Sequence, residues 1–353
     1  MSVRRSLGIL AVAACALGAV APIRSATPLS EIRVSPDTTL TLGAPTIEDE
    51  GIAADNLGGT VSAVSIGSIP AETDLDGYAR RPNGSQLLSF DTTVVLPGGA
   101  TARPGDVWRY DGASYTIEFD AAASGVPDVA NVDAVALYGS TLLLSFDVAL
   151  DLGAVHFEPE DLAQFDGNAF NMFFDGSAAG VAPGLDLDAA DYLACDGHLL
   201  LSFDGSGSIG GIAFDDDDVL EFDRVATWEL AYDGTAHDPD WDPVDLDAVQ
   251  STVNLGPGPP VSFGQTVTAN SKTVFRWPST VSYRAVRGSF VTSTSIGAYV
   301  VNTTFLGTGI SFTDAVAPTA GTGFWYLVKP GGCAQTSWQS ALGLEPGRDT
   351  AIP

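Results

Sequence analysis

One pentapeptide recurs four times along the first 250 residues, and this repeat limits the fold more than any other feature. Its serines lie 54, 56 and 57 residues apart, and a second marker keeps the same interval. Two markers in register indicate four structural repeats. The copies of the first marker are Arg33-Val34-Ser35-Pro36-Asp37, Leu87-Leu88-Ser89-Phe90-Asp91, Leu143-Leu144-Ser145-Phe146-Asp147 and Leu200-Leu201-Ser202-Phe203-Asp204. The copies of the second are Leu75-Asp76-Gly77-Tyr78, Val132-Asp133-Ala134-Val135, Leu187-Asp188-Ala189-Ala190 and Leu246-Asp247-Ala248-Val249.

The residues of each repeat predict β-strands. Tyr115, Ile117 and Phe119 alternate with polar residues, as in a half-buried strand. The uninterrupted runs 142–144 and 199–201 are all leucine, which predicts strands covered on both faces. We expect one strand of each repeat to end in Asp-Ala-Val and the next to carry the pentapeptide, followed by an acidic loop and a hairpin. Four antiparallel strands in about 55 residues match one blade of a β-propeller.

The two ends of the repeat block predict how the propeller closes. Three repeats are continuous, at 74–120, 132–175 and 187–233. The first repeat begins at Glu31 without its Asp-Ala-Val strand, and an orphan copy, Asp245–Val249, follows the last repeat. Pairing of the orphan with the first strand would remove both exposed edges. The predicted fold class is all-β, with a four-bladed β-propeller-like domain at 27–250; an open β-solenoid or sandwich is the alternative.

These Asp-Ala-Val and Leu-Leu-Ser-Phe-Asp elements resemble those of uncharacterised secreted bacterial propeller-type repeat proteins. The resemblance covers residues 31–250. It implies the fold and export of the chain, and it carries no activity with it.

The first 26 residues have the pattern of a secretory signal peptide. Arg4 and Arg5 precede a short apolar run, Leu7–Ala21, and small residues at 25 and 26 predict a mature start near Ala26 or Thr27. We therefore expect a secreted, periplasmic or cell-surface bacterial protein. The run is short for a bilayer span, and no other stretch predicts a transmembrane segment. A loose lipobox at 12–15 leaves open a lipid anchor at Cys15.

Charge divides the chain after Gln250. Residues 27–250 hold 41 acidic and 6 basic residues, whereas 251–353 hold 3 acidic and 6 basic. The net charge of −29 argues against nucleic acid as a partner, because most affinity for DNA or RNA comes from binding phosphates.

A second domain is predicted after the Gly- and Pro-rich linker 251–260. Residues 261–353 form this domain and its C-terminal tail. An early Trp, a Tyr and a late aromatic run resemble a fibronectin type III sandwich, which implies a spacer or display module. The predicted strands are Thr273–Trp277, Tyr283–Arg287, Ala298–Val301, Ile310–Thr313 and Phe324–Val328.

Two acidic clusters are the candidate metal ligands, because calcium prefers several carboxylate oxygens close together. They are Asp215, Asp216, Asp217, Asp218 and Asp238, Asp240, Asp242. The second cluster has the spacing of a calcium loop, but Pro243 replaces the turn glycine and Val249 replaces the bidentate Glu, so it is not an EF-hand. A solvated acidic face is the alternative. The aspartates that end the pentapeptides are expected to accept backbone hydrogen bonds in the following turn.

No residue pattern predicts catalysis or a cofactor other than calcium. The histidines at 156, 198 and 237 are isolated, with no nucleophile signature, and are interpreted as surface or turn residues. Cys195 and Cys333 lie in different predicted domains, so a disulfide between them is not favoured. The predicted function is an exported, non-enzymatic protein that binds or displays an extracellular protein or polysaccharide. The alternative is an extracellular glycoside hydrolase or lyase that uses paired carboxylates.

Overall fold

A computed structural model describes residues 27, 29–43, 45–71, 73–253, 268–269, 271, 273–291, 301–319 and 321–330. The predicted signal peptide, Cys15 and the Gly/Pro-rich part of the linker lie outside these ranges. The described chain is all-β apart from short helical turns, which confirms the all-β part of the predicted fold class. None of its helices is long and apolar enough to cross a membrane.

The repeat block consists of short strands and one-turn helices. In chain order, its first part is β1 (Leu29–Pro36), β2 (Leu40–Thr41), β3 (Thr46–Ile47), β4 (Ile52–Asp55), β5 (Val61–Val64), β6 (Gly77–Arg80), β7 (Gln86–Ser89), β8 (Val94–Val95), β9 (Thr101–Ala102), β10 (Val107–Tyr110), β11 (Tyr115–Phe119) and α1 (Ala121–Ser124). The second part is β12 (Val135–Tyr138), β13 (Thr141–Leu144), β14 (Leu150–Leu152), β15 (Val155–Phe157), β16 (Leu162–Phe165), β17 (Phe170–Phe174), α2 (Gly176–Ala179), β18 (Ala189–Leu193), β19 (His198–Ser202), β20 (Gly207–Ile209), β21 (Ile212–Phe214), β22 (Asp218–Phe222), β23 (Trp228–Asp233), α3 (Gly234–His237), a 3₁₀ turn (Pro239–Trp241) and β24 (Leu246–Val253).

These strands form four antiparallel sheets of four strands each. Their strand orders are β24-β1-β4-β5 in sheet 1, β6-β7-β10-β11 in sheet 2, β12-β13-β16-β17 in sheet 3 and β18-β19-β22-β23 in sheet 4. The first strand of each order is called the inner strand. The predicted acidic loops contain the two-stranded hairpins β2-β3, β8-β9, β14-β15 and β20-β21.

The orphan strand closes the block. β24 pairs antiparallel with β1, and Val34 stands opposite Val249, so the predicted pairing of the last strand with the first is confirmed. The inner strands contact one another in a cycle, β24 to β6, β6 to β12, β12 to β18 and β18 to β24. Sheet 1 is thus built from both ends of the repeat block, and neither β1 nor β24 is left as an isolated strand.

Four hydrophobic clusters fill the spaces between neighbouring sheets, including the space between sheet 4 and sheet 1. In the leucine runs, successive side chains point to opposite faces of the strand, so that one strand contributes to two clusters. Leu142 and Leu144 pack toward sheet 2, whereas Leu143 packs toward sheet 4, and all three are at most 5% exposed. The prediction that these strands are covered on both faces is confirmed.

The Asp-Ala-Val element lies at the start of the inner strand, so the prediction that it ends a strand is wrong. Asp133 and Ala134 precede β12, and Asp247 is the second residue of β24. The physical reason is packing: the apolar residue before each of these aspartates is fully buried and anchors the chain as it enters the sheet. The correction places all four aspartates at the same end of the inner strands.

The pentapeptide serines form a buried polar layer. The hydroxyls of Ser35, Ser145 and Ser202 donate to backbone carbonyls elsewhere in the chain, whereas Ser89 Oγ has no hydrogen-bond partner among the described residues. Ser35, Ser89, Ser145 and Ser202 have no exposed surface. The hydroxyl of Ser145 accepts a hydrogen bond from Ala134 N (2.7 Å) and donates one to Leu187 O (2.8 Å), which joins sheet 3 to the start of the inner strand of sheet 4. Serine suits this position because its hydroxyl both donates and accepts.

Gly77→Ala is expected to destabilise the protein by about 1–3 kcal/mol through overpacking. Gly77 begins β6 where the other repeats carry alanine, but a Cβ there would lie 2.3 Å from Ser89 Oγ and 2.7 Å from Val135 Cγ2. Gly205→Ala is the matched control, because its Cβ would meet nothing nearer than 3.8 Å. Thermal melts check the difference, and equal melting temperatures for the two variants would contradict it.

The described part of the tail contains a single sheet. Its strands are β25 (Thr268–Ala269), β26 (Val274–Val291), β27 (Val301–Thr313) and β28 (Thr322–Pro330), and β26 pairs with the other three. The predicted strands Thr273–Trp277 and Tyr283–Arg287 are therefore merged into one long strand, because pairing continues past the register shifts in β26. The predicted strand Ile310–Thr313 lies in β27, whereas the predicted strand Ala298–Val301 lies outside the described residues except for Val301. The described residues of the tail include no second sheet, so the fibronectin-like sandwich and the domain boundaries stay predictions.

Candidate functional site

A tripeptide of the form Asp/Asn-Leu/Val-Asp leads into every inner strand and overlaps the strand itself only in β24. Its middle residue has no exposed surface in any of the four copies, so the flanking polar residues are held at fixed positions on either side of a buried anchor. The third residues, which we call the aspartate ring, are Asp76, Asp133, Asp188 and Asp247. The first residues, which we call the outer row, are Asp74, Asn131, Asp186 and Asp245.

Burial raises the pKa of every member of the aspartate ring. The pKa is raised to about 8 at Asp76, about 9 at Asp133, about 11 at Asp188 and about 10 at Asp247. Neighbouring carboxylates add to this effect: Asp76 acts on Asp133 and Asp247, and Asp133 acts on Asp188. Removal from water is the larger cause throughout, and at Asp133, Asp188 and Asp247 the next is the like charge of an outer-row aspartate: Asp186, Asp245 and Asp74 respectively. The ring therefore disfavours its own ionised form in the absence of a counter-charge.

The outer row is held by the aspartates that end the pentapeptides. Asp147 Oδ1 accepts from Asn131 N (2.7 Å), Asp204 Oδ1 from Asp186 N (2.7 Å) and Asp37 Oδ1 from Asp245 N (3.0 Å). The predicted role as backbone acceptors is confirmed for these three, but the donor lies at the start of the inner strand and not in the following turn.

We call the place where two neighbouring ring aspartates and the outer-row residue between them meet a corner of the cycle. Two corners differ in how the repulsion between their carboxylates is reduced. Between Asp76 and Asp133, the amide Nδ2 of Asn131 donates a hydrogen bond to Asp76 Oδ2. Between Asp133 and Asp188, the equivalent residue is Asp186, whose pKa is raised to about 6 by burial. Oxygens of Asp133, Asp186 and Asp188 lie within 4.8 Å of one another. The first corner therefore contains the amide donor of Asn131, whereas the second corner contains three carboxylates and no side-chain amide.

Three buried oxygens of the ring have no hydrogen-bond partner among the described residues. They are Oδ2 of Asp133, Asp188 and Asp247. Asp133 is only 8% exposed and takes part in the three-carboxylate corner. Because an unsatisfied buried carboxylate costs considerable free energy, such an oxygen indicates a proton or a cation at that point.

A cavity opens beside the three-carboxylate corner. Its volume is about 480 Å³, and its lining includes Asp186, Asp204, Glu158 and Glu160. Four carboxylates around the opening attract cations and repel anions. The cavity therefore gives a hydrated cation a route toward Asp186.

The aspartates predicted as metal ligands from sequence serve mainly as turn acceptors in the described structure. Asp218 Oδ2 accepts from Asp215 N (2.9 Å), and Asp217 Oδ2 accepts from Thr235 Oγ1 (2.7 Å). Asp238 caps the 3₁₀ turn by accepting from Asp240 N (3.1 Å). Asp240 and Asp242 are exposed. None of the seven belongs to a described group of three ligand atoms within 4.8 Å, and calcium binding by them stays a prediction.

The three histidines occupy different environments. His156 is exposed between Asp151 (2.8 Å) and Glu158 (3.1 Å), and His237 stacks on Tyr232. His198 is only 7% exposed and bonds to Glu221, so its interpretation as a surface or turn residue is wrong. The strand that His198 begins is covered on both faces, which explains the burial of His198.

Cys195 is half-buried and disulfide-bonded, and Cys333 lies outside the described residues.

No protein-family model and no curated protein matches this chain. Among solved structures, YCF48 bound to D1 peptide is 10% identical, with 71% of this chain and 91% of that chain covered and a TM-score of 0.23. A catalytically inactive virginiamycin B lyase from Staphylococcus aureus with quinupristin is 8% identical, with 69% and 92% covered and a TM-score of 0.28. An exo-β-1,3-galactanase from Phanerochaete chrysosporium is 8% identical, with 85% and 92% covered and a TM-score of 0.25. Similarity at this level assigns no activity.

Sequence reasoning quoted the ring aspartates as repeat markers but did not assign them to a site. The available signal was their recurrence at one register position in all four repeats, each beside a residue of strongly apolar character. In a closed cycle, equivalent positions on the inner strands lie close together around the centre. The four aspartates can therefore be assigned to one site only when the closure of the cycle is known.

Proposed function

We propose that this chain is an exported, non-enzymatic binding protein whose repeat block is a closed four-bladed β-propeller and whose aspartate ring holds a calcium ion. The observation that carries the proposal is the corner of Asp133, Asp186 and Asp188, with the unpartnered Oδ2 atoms of Asp133 and Asp188. Four four-stranded sheets and the cycle of inner strands support the propeller.

The choice of calcium follows from the ligands. All three are carboxylate oxygens, which hard cations prefer, and they lie within 4.8 Å of one another. Calcium accepts six to eight oxygen ligands in flexible geometry, whereas Mg²⁺ requires a near-ideal octahedron, which three carboxylates fixed by separate strands do not readily provide. A bound divalent cation would also offset the repulsion between carboxylates that adds to the effect of burial on the pKa values of the ring.

The geometry gives no support to the hydrolase alternative. Glycosidases place a sugar between two carboxyl groups that are about 5–9.5 Å apart and differ in environment. Here oxygens of three carboxylates lie within 4.8 Å of one another, and Asp133 and Asp188 each have a buried Oδ2 with no partner among the described residues, an arrangement that suits a cation better than a sugar. The ring positions are also equivalent by repeat, as expected for a structural or binding role.

Location and partner follow from the predicted leader and the acidic surface. We propose a secreted, periplasmic or cell-surface protein whose partner is an extracellular protein or polysaccharide, with the tail as a spacer. The seven aspartates at 215–218, 238, 240 and 242 are the competing calcium ligands, and the experiment below separates the two sets.

Calcium is expected to raise the melting temperature of the metal-free protein, and equal magnesium or sodium chloride of matched ionic strength is not. A site filled at one hundred times its dissociation constant adds about 2.7 kcal/mol, which corresponds to roughly 5–10 °C for a domain of this size. Asp133→Asn should abolish the shift. The matched control, Asp240→Asn, changes an exposed aspartate in the same way and should keep it.

Two results would contradict this assignment. Equal melts in all three salts would mean that the acidic residues respond only to ionic screening. Loss of the calcium shift in Asp240→Asn, with the shift retained in Asp133→Asn, would move the site to the loop at 238–242.

A further inference from the structure

We propose that proteolytic cleavage between Ala26 and Thr27 creates an α-ammonium group that binds Glu221 and Asp196 and thereby fastens the start of sheet 1 to sheet 4. The proposal rests on the export proposed above for its processing step only. It assigns Thr27 as the first residue of the mature chain and gives that residue a structural role.

Thr27 already lies in an acidic cluster at the opposite end of sheet 4 from the aspartate ring. Its backbone N donates to Glu221 Oε2 at 2.5 Å, and its hydroxyl contacts Glu221 Oε1 (2.6 Å) and Asp196 Oδ2 (3.0 Å). Asp196 follows β18, and Glu221 lies within β22. The N-terminal segment therefore reaches sheet 4 two residues before it enters β1 of sheet 1.

The two carboxylates are buried, which makes the charge of their partner important. Glu221 is 5% exposed, and the side chain of Asp196 is 4% exposed. His198 lies beside both, with Nδ1 3.5 Å from Asp196 Oδ2 and in hydrogen-bond contact with Glu221 Oε1. Hydrogen bonds between an ionised donor and a carboxylate are roughly twice as strong as hydrogen bonds between neutral groups.

Cleavage would convert a neutral donor at this position into a cationic one. Water hydrolyses the Ala26–Thr27 peptide bond in the active site of an endopeptidase of the signal-peptidase class. The C–N bond breaks, the hydroxyl of water goes to the Ala26 carbonyl carbon, and the Thr27 nitrogen gains protons to become an ammonium with three N–H donors. The two carboxylates then have a positive partner in place of one amide N–H.

The small residue Ala26 suits the last position of a signal peptide, and this is the sequence observation that agrees with the contact. A cut one residue earlier, after Ser25, would leave Ala26 between the ammonium and the carboxylates. The two possible cleavage positions therefore differ in whether the new charge reaches Glu221.

The first test is the N-terminus of the full chain after export from a bacterial host. Mass spectrometry is expected to find Thr27 as the first residue, with no lipid. A start at Ala26, or an acylated Cys15 at the N-terminus, would overturn the processing step.

The second test does not depend on export. A fusion whose protease leaves no extra residue yields chains that start at Thr27 or, as the matched control, at Ala26. The Thr27 form is expected to melt at least about 4 °C higher, and its α-amine should react with acetic anhydride at least tenfold more slowly. Glu221→Gln in the Thr27 form should remove most of both differences.

Equal melting temperatures and equal amine reactivities for the Thr27 and Ala26 forms would overturn the docking. A chain that is not exported at all would contradict the proposed location and the processing step, whereas the fusion-derived forms would still decide the docking. Calcium melts of the same forms report on the aspartate ring separately.

Discussion

A chain that ends at residue 244 is expected to lose its cooperative thermal transition and to aggregate, whereas a chain that ends at 255, which also lacks Cys333, should keep a cooperative transition. The first truncation removes β24 and with it Leu246 and Val249, which are fully buried between sheets 1 and 4. Losing two such side chains costs about 4–10 kcal/mol, which is comparable to the whole stability of a typical domain, about 5–15 kcal/mol. It also leaves β1 with an open edge toward solvent.

A pair of point variants in the full chain separates the packing effect from the truncation itself. Val249→Asp places a charge in the cluster between sheets 1 and 4 and should lower the melting temperature strongly. Thr252→Asp introduces the same charge at an exposed position of the same strand and should have little effect. Identical melts for the chains that end at 244 and 255 would show that β24 does not close the block.

Exchanging Asp186 and Asn131, the outer-row residues of two corners, is expected to move the calcium site from one corner to the other. In Asp186→Asn, the new amide should donate to Asp133 as Asn131 donates to Asp76. The metal-free protein should then be more stable by about 1–3 kcal/mol, because one buried carboxylate is replaced by a donor, and the calcium shift should disappear. Thermal melts with and without calcium, together with calorimetric titration, measure both effects.

Asn131→Asp should behave in the opposite way. It removes the hydrogen bond to Asp76 and adds a third carboxylate beside Asp76 and Asp133, so the metal-free protein should melt at a lower temperature and respond more strongly to calcium. The double exchange should restore a single site. A wild-type calcium response in Asp186→Asn would show that Asp186 is not a ligand.

The pattern of apolar and polar residues along the chain was sufficient to predict most strands of the repeat block and the burial of the leucine runs on both faces. It also predicted the spare strand that pairs with β1. Each of these features depends on residues that are neighbours in the chain or equivalent in the repeat. The long strand β26 was predicted as two pieces, because a register shift between Arg276 and Val281 is a property of its pairing with β27 and leaves no clear mark in composition.

The sequence by itself determined the all-β class and the fourfold repeat, and it predicted the pairing of the spare last strand with the first, because the period-two pattern and the missing first strand depend only on residue order. Only the tertiary structure decided which aspartates meet. Asp133 and Asp188 are separated by about one repeat, yet their carboxylates converge with that of Asp186, whereas the crowded aspartates at 215–218 are taken up by turns. Thr27 and Glu221 are 194 positions apart. Burial and charge at such sites arise when distant segments pack around the cycle, and linear spacing carries no record of that distance.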